Sequence, residues 1–162
     1  EFSISVGAVN QARRIESGIL SWGVDMSQNE NPFQVGLGRL VQTETRDNFI
    51  GKKAIIKLSK LKQKKVLVGM KLNTKNFLNN ETSWNIKKDS LIIGKLTSVS
   101  FSPRLKYNIG LGIIDTNYSK IGSKFIVEAY DELVEAEVVP LPFMDKKQMV
   151  NAKELAKKFY SN

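Results

Sequence analysis

Residues 65–72 read KVLVGMKL and residues 108–115 read NIGLGIID, and between and beyond them stand SLIIGKLTSV (90–99), SKFIVEAY (123–130) and LVEAEVVPL (133–141). Each run is short, rich in β-branched and apolar residues, and bounded by Asn, Asp, Gly or Lys, which is the pattern of a strand. Five or six such strands packed into about 80 residues predict a small antiparallel barrel or sandwich. Residues Tyr130 to Leu133 supply the turn of a hairpin between the last two.

Upstream of this block the pattern changes. Residues 49–61 fit a helix, with Ile50, Ala54, Ile55 and Leu58 on one stripe, Lys52, Lys53 and Lys57 outside it, and Gly51 near its start. The lysine-rich SKLKQKK at 59–65 marks a boundary near residue 62. Before it, QTETRDN at 42–48 is a polar loop. In FQVGLGRLV at 33–41, Gly36 and Gly38 predict a close backbone approach or a bulge rather than a plain strand. Pro32 biases Asn31 toward extended backbone. At the start, Phe2, Ile4 and Val6 alternate as in a half-buried strand. A helix then carries Ala8, Ala12, Ile15 and Ile19 inward and stops at Gly18. The tail, 145–162, fits an amphipathic helix with Val150, Leu155, Ala156 and Phe159 inside and a basic outer face. The fold class is therefore α+β, a short helical and strand segment followed by a small antiparallel β-barrel.

Composition narrows the chemistry. The 162 residues contain no cysteine and no histidine, which removes disulfides, thiolate catalysis, the commonest metal ligand and the commonest neutral-pH base. Ser102 has no histidine to activate it, so a triad is excluded. No carboxylate spacing suggests a metal site. No stretch approaches the roughly 18 apolar residues of a membrane span. The opening EFSISVG lacks the features of a secretory signal and lacks an initiator methionine, as if the chain began in mid-strand. Twenty-five basic against sixteen acidic residues give a net charge of +9, which suits an anionic partner. Nucleic acid is one alternative, with Arg104, Lys106 and Tyr107 as a basic–aromatic patch. Against it stand the dispersal of the basic residues and the absence of a recognisable RNA-binding signature.

Generic motifs are sparse. GLGRL at 36–40 lacks the spacing of a dinucleotide fingerprint and the lysine of a phosphate loop. Gln11, Arg14 and Glu16 cluster at a helix end, and a buried Glu16 would need a partner such as an arginine.

Five pieces nevertheless occur in one order: RIESGILSWGVD (14–25), NPFQVGLGRLV (31–41), FIGKKA (49–54), VLVGMKL (66–72) and LTSVSFSPRLKYNIGLGI (96–113). Together they resemble the glycine-cleavage T-protein, or aminomethyltransferase, family, closest to its branch of folate-dependent demethylases such as the dimethylsulfoniopropionate demethylase. The resemblance covers residues 6–142 and corresponds to the C-terminal portion of longer proteins. It implies three segments: 1–61, the remnant of a folate-binding core with a linker helix; 62–144, the terminal β-barrel; and 145–162, the basic helix. It implies tetrahydrofolate as cofactor, a small amino or sulfonium one-carbon donor, and the N-terminal portion of the same protein as partner. Cytoplasmic location follows from the same resemblance. The family's supporting aspartate and its pterin-holding acid lie upstream, so no catalytic residue is expected here and the chain alone should be inactive. Cofactor contacts are expected from Arg14, Glu16, Trp22 and Arg104. An apolar face left by the missing domains would favour self-association. A non-enzymatic folate-binding or structural module is the competing reading. Two departures stand out: Gln34 where the family has glutamate, and Val99 where it has glycine.

Overall fold

The computed structural model describes residues 10–44, 48–76, 78–130 and 132–144. The expected strand at 2–6 and the expected helix at 145–162 lie outside them. Six strands carry the fold: β1 (Lys65–Leu72), β2 (Trp84–Lys88), β3 (Leu91–Ser102), β4 (Tyr107–Asp115), β5 (Lys124–Ala129) and β6 (Glu132–Val139). They close into an antiparallel barrel in the order β1-β4-β3-β2-β5-β6. β5 and β6 form the expected hairpin, paired from Lys124↔Glu137 to Ala129↔Glu132.

Closure follows from alternation. In β1, Val68, Met70 and Leu72 point into the barrel and join Ile86, Leu96 and Val99 in its core. The intervening Leu67 points outward and, with Ile109 and Leu111 of β4, builds a second cluster around Ile15. The barrel is thus apolar on both faces where β1 and β4 meet. The outer apolar strip is covered by a short helix, α1 (Gln11–Glu16), which lies across β3 and β4. Leu141 and Phe143 complete the cover.

α1 is stopped by Gly18 as its sequence predicts, but Ile19, expected inward, lies past the helix end and is 59% exposed. Gly18 adopts φ +66°. The Gly18 amide donates to Ile15 and the Ile19 amide to Arg14, which closes the helix in a Schellman turn. A second helix, α2 (Lys52–Ser59), is capped by Gly51 at φ +88°. Its expected apolar stripe is only partly realised. Ile55 and Leu58 are half-buried, whereas Ala54 and Ile50 are exposed, and no residue of α2 is fully buried. Of the glycines at 33–41, Gly38 serves a close approach, since a Cβ there would lie 2.7 Å from the Phe33 ring, whereas Gly36 has open space around it and adopts φ +73°.

One irregularity in the sheet positions the site. Between Leu96 and Ser98 the register of β3 against β4 slips by one residue, from Leu96↔Gly112 to Ser98↔Leu111. Thr97 is the extra residue of a β-bulge. Leu96 and Val99 both face the barrel core, and the Thr97 and Ser98 hydroxyls are both left to the outside, toward the loop after α1.

Candidate functional site

Arg14 sits in the last turn of α1 and is 9% exposed. Its Nη1 donates to Asp25 Oδ2 at 2.5 Å and to the Ile19 carbonyl at 3.0 Å. Its Nη2 donates to Ser98 Oγ at 2.8 Å, and its Nε to Gln11 Oε1 at 2.9 Å. Asp25 is fully buried and equally engaged. Its Oδ1 accepts from Thr97 Oγ1 at 2.7 Å and Ser98 Oγ at 2.6 Å, and its Oδ2 also accepts from the Ser21 amide. Ser98 therefore accepts from the guanidinium and donates to the carboxylate, linking both members of the pair. The bulge makes this possible by turning two consecutive hydroxyls to one side.

Glu16 finds its arginine elsewhere. Residues two apart on a helix do not face each other, and Arg14 is committed to Asp25. The Glu16 carboxylate is buried, accepts from Ser102 Oγ at 2.6 Å, and pairs with Arg104 Nη1 at 3.6 Å. Ser102 Oγ in turn accepts from the Leu105 amide at 3.0 Å, fixing the turn after β3. The Arg14–Asp25 pair, through Thr97 and Ser98, thus holds α1 and its following loop to the middle of β3, and Glu16, through Ser102 and Arg104, holds α1 to the end of that strand. Among the described residues no buried side-chain N or O atom lacks a hydrogen-bond partner.

The four residues expected to touch a cofactor are not equivalent in place. Arg14 and Glu16 are interior. The Arg104 side chain is 42% exposed, and Trp22 is 68% exposed on the loop that Asp25 organises. The basic–aromatic patch is also divided: Tyr107 packs into the outer cluster, with Lys71 Nζ 4.9 Å from its ring centre, while Arg104 turns to Glu16. Burial raises the Tyr107 phenol above its ordinary pKa. Asp25 as the partner of Arg14, and the Thr97–Ser98 pair beneath it, are the residues that pattern reading misses. The only local signal is the Gly23–x–Asp25 step.

Gln34 acts in a second loop. Its Oε1 accepts from the Asn31 amide at 2.9 Å, the Asn31 side chain accepts from the Phe33 and Gln34 amides, and the Gln34 carbonyl receives the Leu67 amide at 2.7 Å. The loop is thereby tied to β1. A groove of about 860 Å³ runs between residues 23–30 and the outer edge of β3.

Residues 65–145 match the model of the glycine cleavage T-protein C-terminal barrel domain. The chain belongs to this family. Relatives of this T-protein barrel chain include an aminomethyltransferase of Clostridium botulinum, 32% identical over 144 residues, covering 89% of the chain and 38% of the relative. Another, from Prochlorococcus marinus, is 35% identical over 130 residues, covering 80% and 34%. Among solved structures, the glycine cleavage system aminomethyltransferase T from Bartonella henselae superposes with a TM-score of 0.76 at 21% identity, over 86% of this chain and 39% of that one. The T-protein barrel chain therefore spans about 38% of the length of the first of these relatives. Both residues expected to depart from the family pattern are accommodated: Gln34 closes its own loop, and Val99 is buried in the barrel core.

Proposed function

We propose that this chain is the C-terminal part of a tetrahydrofolate-dependent one-carbon transferase, that it forms one wall of the cofactor cavity, and that it is inactive alone. The observation that carries the reading is the coverage: alignment with an aminomethyltransferase extends over 89% of the chain but only 38% of the relative. The N-terminal portion of the same protein is then the first partner, and the one-carbon donor is a small amino or sulfonium compound. Membership of the demethylase branch and a cytoplasmic setting belong to the same proposal.

The chain's own residues divide the work. Trp22 offers an exposed flat face and Arg104 a half-exposed cation, which suit a heterocycle and a carboxylate respectively. Arg14 and Glu16 fit the cofactor as its frame, since their polar atoms are occupied within the chain. Tetrahydrofolate when bound would accept the one-carbon unit. The protein's contribution is placement of donor and acceptor, and that alone can account for roughly 7–11 kcal/mol of barrier in favourable cases.

Titration calorimetry with tetrahydrofolate on this chain and on a form extended upstream provides the test. Binding is expected only in the extended form, and there it weakens on Trp22→Ala. Tight binding by this chain alone would overturn the incomplete-site reading. No binding by either form would overturn the assignment of the cofactor.

A further inference from the structure

The groove beside β3 is lined by none of the four residues assigned to the cofactor. One wall is the loop at Val24 and Met26, the other is the strand start at Leu91–Ile93, and Ile113 lies between. Val24, Leu91 and Ile92 are more than half exposed, which is unusual for three aliphatic side chains along one trough.

The charges around this trough are unevenly satisfied. Its carboxylates are already in use. Asp25 holds Arg14, Thr97 and Ser98; Glu30 accepts from the amide and hydroxyl of Ser27; Asp115 accepts from the Asn117 amide. Its cations are not. Lys64, Lys65 and Lys95 line the same groove, and none of their ammonium groups has an ion pair or hydrogen bond among the described residues. Lys65 stands opposite Asp115 across the β1–β4 ladder without pairing to it. An apolar trough edged by three uncommitted cations, with its acids turned to internal partners, has the chemistry to receive an anion with an apolar body.

We infer that this groove is a second binding site, for an organic carboxylate with an aliphatic portion. The aliphatic portion lies along Val24, Ile92 and Ile113, and the carboxylate meets Lys64, Lys65 and Lys95. The groove volume of about 860 Å³ suits a small molecule of this kind.

The test is titration of the isotope-labelled chain with decanoate, followed by amide chemical shifts, with decanol and decyltrimethylammonium as neutral and cationic controls. Decanoate is expected to give saturable shifts at Val24, Ile92, Lys95 and Ile113, and to bind more weakly as salt rises. A combined Lys64→Gln, Lys65→Gln, Lys95→Gln variant with an unchanged circular dichroism spectrum is expected to lose about tenfold in affinity. Lys124→Gln, on the far side of the barrel order, is expected to have no effect. Equal binding of decanol or the cationic amphiphile overturns the inference, as do shifts confined to other surfaces or wild-type affinity in the triple variant. Failure of tetrahydrofolate to bind the extended protein would leave these outcomes unchanged, so the two proposals fail independently.

Discussion

Removing the Asp25 carboxylate would leave the Arg14 guanidinium 9% exposed and without its counter-charge. Leaving one member of a buried pair alone costs about 3–5 kcal/mol, whereas replacing both by apolar residues of similar volume is often near neutral. Asp25→Ala is therefore expected to lower the urea unfolding free energy by about 3–5 kcal/mol, and the double change Arg14→Met, Asp25→Leu by clearly less. Equal losses in the single and double variants would show that the site is held by shape rather than by charge. Pattern reading expected a buried Glu16 to take an arginine, which Arg104 supplies, but it named no partner for Arg14. Arg14 and Asp25 are eleven residues apart, and the Thr97 and Ser98 hydroxyls more than seventy residues further on, so no periodicity could join them.

At the scale of elements, legibility followed the hydrophobic pattern. β1, β3, β4, β5 and β6 announced themselves by β-branched runs. β2 did not: WNIKK has only Trp84 and Ile86 facing the core, and its remaining positions are polar. Without β2 the barrel order cannot be drawn, because β2 is the strand that joins β3 to β5. α2 was legible as a helix but not in its burial, since its stripe meets little of the barrel. Close strand contacts were invisible for a related reason. A Cβ on Gly94 would lie 2.3 Å from the Ile113 carbonyl oxygen and 2.7 Å from the Ile114 Cα, backbone that cannot step aside. Gly94→Ala is expected to cost about 1–3 kcal/mol or more by overpacking. Gly23→Ala, with nothing within 4 Å, should cost only the about 1–2 kcal/mol of a side chain at positive φ. Thermal unfolding of the two variants ranks them, and the reverse order would mean that β3 and β4 can separate at this point.

At the scale of the whole molecule, the described strands close into a barrel rather than ending in two open sheet edges, which leaves exposed apolar side chains as the described surface that favours self-association. Ile19, Trp22 and Val24 project from one loop at more than half exposure. Light scattering on the eluted protein is expected to give a mass above the 18.2 kDa of one chain as concentration rises. It should return toward that value in Trp22→Ser. A concentration-independent monomer would mean that these side chains are tolerated in water as they stand.

The two clamps between the start of the chain and β3 also set a timetable. Arg14 must wait for Ser98, and Glu16 for Ser102, so the first segment cannot take its final shape until about eighty more residues have been made. At roughly 5–20 residues per second this is a delay of about 4–16 s on the ribosome. During that interval the arginine and the glutamate are still ordinary hydrated charges, and Ile15 between them is within reach of chaperones.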